Sequence, residues 1–294
     1  MPRSEKTQPT QPHRYDWLTF TSDYGLDDVF VGVCKGVIAQ LAGHVQIIDV
    51  THQITAQDVE QGATSLASAM PYLPVGVHLA LVDPMHGGSS RGVVVAAADG
   101  SLLVGPDNGL LSLAWGERGG AVAAYELVNP ALWRDSVHKT FRGRDVFAPV
   151  AAHLAAGTPV ADVGPAVEVA SLTAIPPRDV EVDDDHVHAE VSLVDHFGNV
   201  SLNVDRAALE AAGMRLGDIV EVRCNGRTLA VPFTATYGDV ARGRLTLCED
   251  SFRAVMLAVN AGHASHEMRV SRGEPIVIAR LPQTAPSRPG PPPG

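Results

Sequence analysis

The stretch Leu18-Thr-Phe-Thr-Ser-Asp-Tyr-Gly25 is an apolar run that ends on a carboxylate and a glycine, and with the segments after it this run decides the fold. Val29, Val33, Val37 and Leu41 recur at every fourth position, the spacing of one helical face, and Val45-Gln-Ile-Ile-Asp-Val50 then reads as a second strand. A strand, a helix and a strand in that order form the unit from which parallel sheets are built. The pattern continues outward. Val77-His-Leu-Ala-Leu-Val82 is a further strand, Val59, Ala63, Leu66 and Met70 mark a second helical face, and Phe147, Val150, Ala151 and Leu154 mark a third, stopped by Gly157 and Pro159. Residues 17–175 are therefore expected to form an α/β domain with a mostly parallel sheet.

Ile175-Pro-Pro-Arg178 and the acidic run Asp183-Asp-Asp-His186 change the texture, and residues 176–187 read as a linker. After it come short alternating segments, Val187–Val194, Ile219–Arg223 and Pro275–Ala279, with turn signals at Asn225-Gly226 and Arg272-Gly273. A smaller antiparallel β domain over residues 188–280 is expected. The ends of the chain, residues 1–16 and 281–294, are polar or proline-rich and read as disordered tails.

The composition of the 294 residues excludes several classes of function. With 45% hydrophobic and 19% charged residues the chain can bury a core, and a net charge of -11 lacks the basic surplus that a general nucleic-acid binder needs. No apolar run reaches the roughly 18 residues of a membrane span, and the N-terminus has no secretory signal. Cys34, Cys224 and Cys248 have no CxxC spacing, which fits a reducing cytoplasm and offers no thiolate zinc site. Dinucleotide, P-loop, acyl-enzyme and zincin motifs are missing, and the HxH of His186 and His188 is read as part of a solvated acidic stretch, so neither a metal nor a cofactor is expected.

In open α/β sheets ligands collect beyond the carboxyl ends of the strands. Three apolar runs end on such residues: Asp23 after the first, Asp83 after Val77–Val82, and Asp107-Asn108 after Leu103-Val-Gly-Pro106. Carboxylates there can accept hydrogen bonds from ribose hydroxyls or hold a water, which suits a nucleoside ligand. Taken singly, each reads equally well as a helix cap or a turn residue.

Taken together, these residues belong to a longer series. Phe20-Thr-Ser-Asp-Tyr-Gly25, Asp58-Val-Glu-Gln-Gly62, Leu81-Val-Asp-Pro84, Gly105-Pro-Asp-Asn-Gly109, Thr140–Pro149 and Asp195-His-Phe-Gly-Asn199 occur in the order found in the S-adenosyl-L-methionine (SAM) hydroxide adenosyltransferases, relatives of the SAM-dependent fluorinase and chlorinase. The chain resembles that family from about Thr19 to Arg280.

The resemblance implies a C-terminal β-barrel after the α/β domain, and a homotrimer that binds SAM between the first domain of one subunit and the second of its neighbour. It implies cleavage of SAM to adenosine and L-methionine, with SAM as substrate and no cofactor. Asp23 becomes the ribose partner, Asp107 and Asn108 belong to the substrate-binding set, Asp195, Phe197, Asn199 and Ser251 surround the methionine, and Asn260 and Ala261 lie near the adenine. The structural reading of Asp195–Asn199 is a β-turn that uses the same residues. The family's hydrolytic Asp, Arg and His fall here on Asp83, Ser90 and Arg142. An exchange of roles is expected, in which Arg142 supplies the cation and His86 the imidazole around a water held by Asp83; Arg91 is the alternative cation. Two other functions stay open: a SAM-dependent halogenase, and a SAM- or adenosine-binding protein without turnover.

Overall fold

Alternation along each strand sends side chains to both faces of a sheet, and the first of these strands shows what that does here. In the computed structural model, which describes residues 14–84, 90–176 and 180–281, Leu18 and Phe20 of β1 (Trp17–Ser22) bury against one layer of helices. The chain divides into two units after Pro176.

The first unit also contains α1 (Phe30–Leu41), β2 (Gln46–Thr51), α2 (Val59–Ala69), β3 (Val77–Leu81), β4 (Gly92–Ala97), β5 (Leu102–Pro106), α3 (Ser112–Glu117), β6 (Ala121–Glu126), α4 (Ala148–Ala155) and β7 (Ala166–Val167). The strands lie in the order β2-β1-β3-β5-β4-β6-β7. From β2 to β5 the ladders are parallel, whereas the ladders of β4 with β5 and β6, and of β6 with β7, are antiparallel. The expected parallel sheet is thus one half of a mixed sheet. α1 and α4 cover one face with Val31, Cys34, Ile38, Val150 and Leu154, and α2 and α3 cover the other with Leu66 and Ala114.

The face assigned to α1 needs correction. Val29 is 72% and Leu41 is 41% exposed, and the buried stripe is Val31, Cys34, Val37 and Ile38. A strict four-residue step overshoots the 3.6-residue turn, so over 12 residues it walks off the buried face; steps of three and four stay on it.

The second unit holds β8 (Glu181–Val182), β9 (His186–Val194), β10 (Val200–Asp205), α5 (Arg206–Ala211), β11 (Ile219–Cys224), β12 (Arg227–Pro232), β13 (Leu245–Glu249), β14 (Ala254–Val259), α6 (Ala264–Met268) and β15 (Pro275–Arg280). Its antiparallel path runs β12-β11-β15-β9-β10-β14-β13, and a bridge between Phe233 and Leu247 joins the two ends into a nearly closed barrel. Asn225 and Gly226 have φ of 47° and 69°, the two left-handed residues that a tight hairpin turn between β11 and β12 demands. Within the stretch read as linker, β8 pairs with β9, so this hairpin belongs to the barrel. Tyr15 and Asp16, read as the last residues of the tail, are bonded to Ala155 and Gln46. Residues 1–13 and 282–294 lie outside the described residues.

Candidate active site

Because β1, β3 and β5 are parallel neighbours, their carboxyl ends bring Asp23, Asp83 and Asn108 to one edge of the sheet. Backbone and side chain tie these ends together. The Asp23 N–H donates to the Leu81 carbonyl at 3.3 Å, and Asn108 Nδ2 donates to the Val82 carbonyl at 2.9 Å. Asn108 Oδ1 accepts the Leu110 N–H at 3.1 Å, so both ends of this amide hold the strand ends in place.

At the end of β3 the Ser90 hydroxyl donates to Asp83 Oδ1 at 3.0 Å, and Arg142 Nη1 donates to the Ser90 carbonyl at 2.8 Å. Ser90 therefore stands between the carboxylate and the cation and is bonded to both. The Arg142 guanidinium also lies over the Phe147 ring, 5.1 Å from its centroid, which fixes the side chain. Arg142 precedes a wide π-type turn, Gly143–Phe147, that leads into α4; such turns re-aim side chains at functional sites. The turn is anchored by Asp145, fully buried, whose carboxylate accepts from the Arg144 side chain at 2.6 and 2.8 Å and from the His138 N–H at 2.8 Å. The Arg144 hydrogen bond foremost, with help from His138, holds the Asp145 carboxyl down at about 2, against the opposing effect of burial.

Arg91, the alternative cation, is committed elsewhere. Its Nε and Nη2 reach Asp107 Oδ2 at 2.7 and 2.6 Å, and Nη2 also donates to the Ser171 carbonyl at 3.2 Å. Asp107 Oδ1 accepts the Thr173 N–H at 2.8 Å. Both Asp107 oxygens are thus engaged in a clasp that pins residues 171–173 to the end of β5. His86 lies outside the described residues.

Tyr24 belongs to this edge and was not assigned a role from sequence, although it directly follows Asp23 in the same motif. Its ring packs edge-on against Phe20 and Phe141, and its hydroxyl fills the space beside Gly143. Burial first, then the nearby Cys34, Asp23 and Asp83, push its phenol above the usual range, so it stays protonated.

A second group of residues meets in the barrel, around an open pocket of about 740 Å³. Two turns with the same design build it. In the β9–β10 turn, Asp195 Oδ1 accepts the N–H groups of Phe197 and Asn199, both at 2.8 Å, and Oδ2 accepts from Asn199 Nδ2 at 2.8 Å. In the β13–β14 turn, Asp250 Oδ1 accepts the N–H groups of Phe252 and Ala254 at 2.8 and 2.9 Å, and Oδ2 accepts the Ser201 hydroxyl at 2.8 Å. Each Asp therefore shapes a loop that presents an aromatic ring: Phe197 is 70% exposed and Phe252 54%, in a pocket that Ser251 and Ala261 also line. Tyr237 adds a third exposed ring. Asn260 is turned aside, its Nδ2 donating to the Val240 carbonyl at 2.6 Å. Phe252 and Tyr237 escaped sequence reading because single aromatics in polar loops carry no periodic signal.

Among the described residues no group of three or more His, Cys, Asp or Glu side chains is placed to hold a metal ion, and no helix is long and apolar enough to cross a membrane.

The model of the SAM hydroxide adenosyltransferase N-terminal domain matches residues 18–164, and that of the C-terminal domain matches residues 189–277. An (R)-S-adenosyl-L-methionine hydrolase of Salinispora tropica is 47% identical over 264 residues, covering 89% of this chain and 97% of that protein. A fluorinase of Nocardia brasiliensis is more distant, 28% identical over 288 residues, 89% of this chain and 96% of its own. An uncharacterized conserved protein from Thermotoga maritima has a solved structure that superposes with a TM-score of 0.85 at 34% identity, over 90% of this chain and 100% of that one. With both domain models matched in order, and the strand-end carboxylates and barrel pocket in place, the chain belongs to the SAM hydroxide adenosyltransferase family.

Proposed function

We propose that the chain hydrolyses SAM to adenosine and L-methionine by attack of water at ribose C5′. The observation that carries this reading is Asp83 at the end of β3, held by the Ser90 hydroxyl and backed by Arg142. The chemistry needs little more. Attack forms the C5′–O bond as the C5′–S bond breaks, the electron pair leaves on sulfur, and a sulfonium departs as a neutral thioether without a general acid. What remains is to align a water and take its proton, which a carboxylate does. The same carboxylate repels halide, which disfavours a halogenase.

Asp23 binds the ribose, while the barrel pocket, with Asp195, Phe197, Asn199, Ser251 and Ala261, takes the methionine and adenine ends. Asn260 supports the adenine side through its backbone. Asp107 and Asn108 act by shaping the strand ends. Arg142 keeps Ser90, and through it Asp83, in place, and His86 remains the proposed imidazole. The substrate is SAM, with neither metal nor redox cofactor in the reaction. The assembly is a homotrimer in which the pocket of one subunit and the strand ends of another serve one substrate. The cytoplasm suits the three buried free thiols of Cys34, Cys224 and Cys248.

Chromatography of the protein incubated with SAM and excess chloride tests the reading. Equal amounts of adenosine and methionine are expected. Chlorodeoxyadenosine would show a halogenase, and unchanged SAM despite measurable binding would show a protein without turnover.

A further inference from the structure

We propose that His52 is a positioning residue for Asp23, acting through the buried hydroxyl of Ser22. The proposal rests on Asp23 serving the SAM ribose. Ser22 is fully buried and His52 is 3% exposed, and the Ser22 Oγ lies 2.8 Å from His52 Nδ1. His52 Nε2 lies 3.1 Å from Asp49 Oδ1, and Asp49 Oδ2 accepts from Lys35 Nζ at 2.8 Å. Serine, histidine and aspartate in this order resemble a nucleophilic triad, but Ser22 and His52 are closed to solvent and no substrate carbon can reach the hydroxyl.

The network instead serves the turn that carries Asp23. The Tyr24 N–H donates to Ser22 Oγ at 3.3 Å and the same oxygen is bonded to His52 Nδ1, so the hydroxyl links the turn to the imidazole. The carbonyl of the same His52 accepts the Gly25 N–H at 2.7 Å, so residue 52 secures the turn on both sides of Tyr24. A third tie comes from Gln57, whose N–H donates to Asp23 Oδ2 at 2.8 Å. Gln57 holds this bond at φ 68°, a left-handed conformation that a non-glycine residue adopts only when its surroundings hold it there. Phe20 meets the imidazole edge-on at 4.7 Å and keeps the ring from turning. The loop after β2 is therefore a cradle for one carboxylate, with His52 at its centre.

Two substitutions separate this role from simple packing. In His52→Asn the side-chain amide falls where Nδ1 was and can bond the Ser22 hydroxyl. In His52→Gln the amide reaches toward the Nε2 position and leaves the buried Ser22 hydroxyl unmatched. The expected KM for SAM rises about tenfold in His52→Gln and less than about threefold in His52→Asn, with kcat little changed in both, as for loss of a bond that serves ground state and transition state equally. Ser22→Ala, a smaller perturbation, should raise KM like His52→Gln. In an Asp23→Ala background the His52→Gln change should add nothing further. Amide hydrogen exchange at Tyr24 and Gly25, which reads the turn without SAM, should speed up in His52→Gln and not in His52→Asn. Equal behaviour of the two variants, a multiplicative effect with Asp23→Ala, or unchanged exchange at Tyr24 and Gly25 would overturn the proposal. A wild-type protein that makes no adenosine would instead overturn the SAM reading, with the exchange comparison still judging His52.

Discussion

A single methyl group added at Gly143 should reveal how tightly the candidate site is built. A Cβ at this position would stand 2.1 Å from the Tyr24 hydroxyl and 3.2 Å from Leu81 Cδ1, whereas ordinary contact begins at 3.4 Å. The phenol would have to retreat by more than about 1 Å. Its ring is boxed in by Phe20, Phe30 and Phe141 at centroid distances of 6.3, 6.0 and 6.0 Å, so the retreat displaces its neighbours as well. Overpacking of this kind costs roughly 1–3 kcal/mol. For a unit of this size each kcal/mol lowers the melting temperature by roughly 2–4 °C, so Gly143→Ala should melt roughly 2–12 °C below the wild type in a calorimetric scan. Backbone strain plays no part, because Gly143 is not among the left-handed glycines. Since the closest contact by far is with one oxygen, Tyr24→Phe in the same chain should restore most of the loss. A Gly143→Ala protein melting within about 1 °C of the wild type, or one that Tyr24→Phe fails to rescue, would refute the packing argument.

Asp83→Asn should lower kcat about 100-fold or more with KM nearly unchanged, as expected for a group that acts on the water, whereas Asp23→Ala should raise KM about tenfold or more and spare kcat; steady-state kinetics that reverse the two signatures would exchange the roles. Asp145 has a folded pKa of about 2, below the unfolded value near 4, so its contribution is fully present above about pH 4 and is lost as pH falls toward 2. Urea unfolding at several pH values should show the wild type more stable than Asp145→Asn at pH 6, with the gap closing below about pH 4. His78, driven down to about 4 chiefly by burial, adds a loss of stability as pH falls from about 6.5 to 4, and His78→Gln should flatten that part of the curve.

Much of the fold is legible because the deciding signals are local. Apolar runs such as Val77–Leu81 announce strands wherever they pair, and Asn225-Gly226 announces its hairpin because both residues must be left-handed. Strand direction is not local: Val93–Ala97 reads the same in a parallel or an antiparallel ladder, so the antiparallel half of the first sheet went unread. The candidate site divides in the same way. Asp23 and Asp83 could be found because strand ends are visible in sequence. The clasp of Asp107 with Arg91 and Thr173, and the bond of Ser22 to His52, join residues 16 to 66 positions apart and leave no pattern in the chain. Asp107 shows the difficulty: an aspartate after a strand has the same appearance whether its partner is a ribose or an arginine.

The origin of the oxygen in the product tests attack by water most directly. SAM turned over in ¹⁸O-labelled water should give adenosine carrying one labelled atom at the 5′-hydroxyl and none elsewhere, with an equal amount of methionine, and Asp83→Asn should slow the appearance of label in step with turnover. Adenosine formed without label, or a 5′-halogenated nucleoside formed in place of adenosine when chloride is present, would contradict attack of water at C5′ and with it the role of the Asp83 edge.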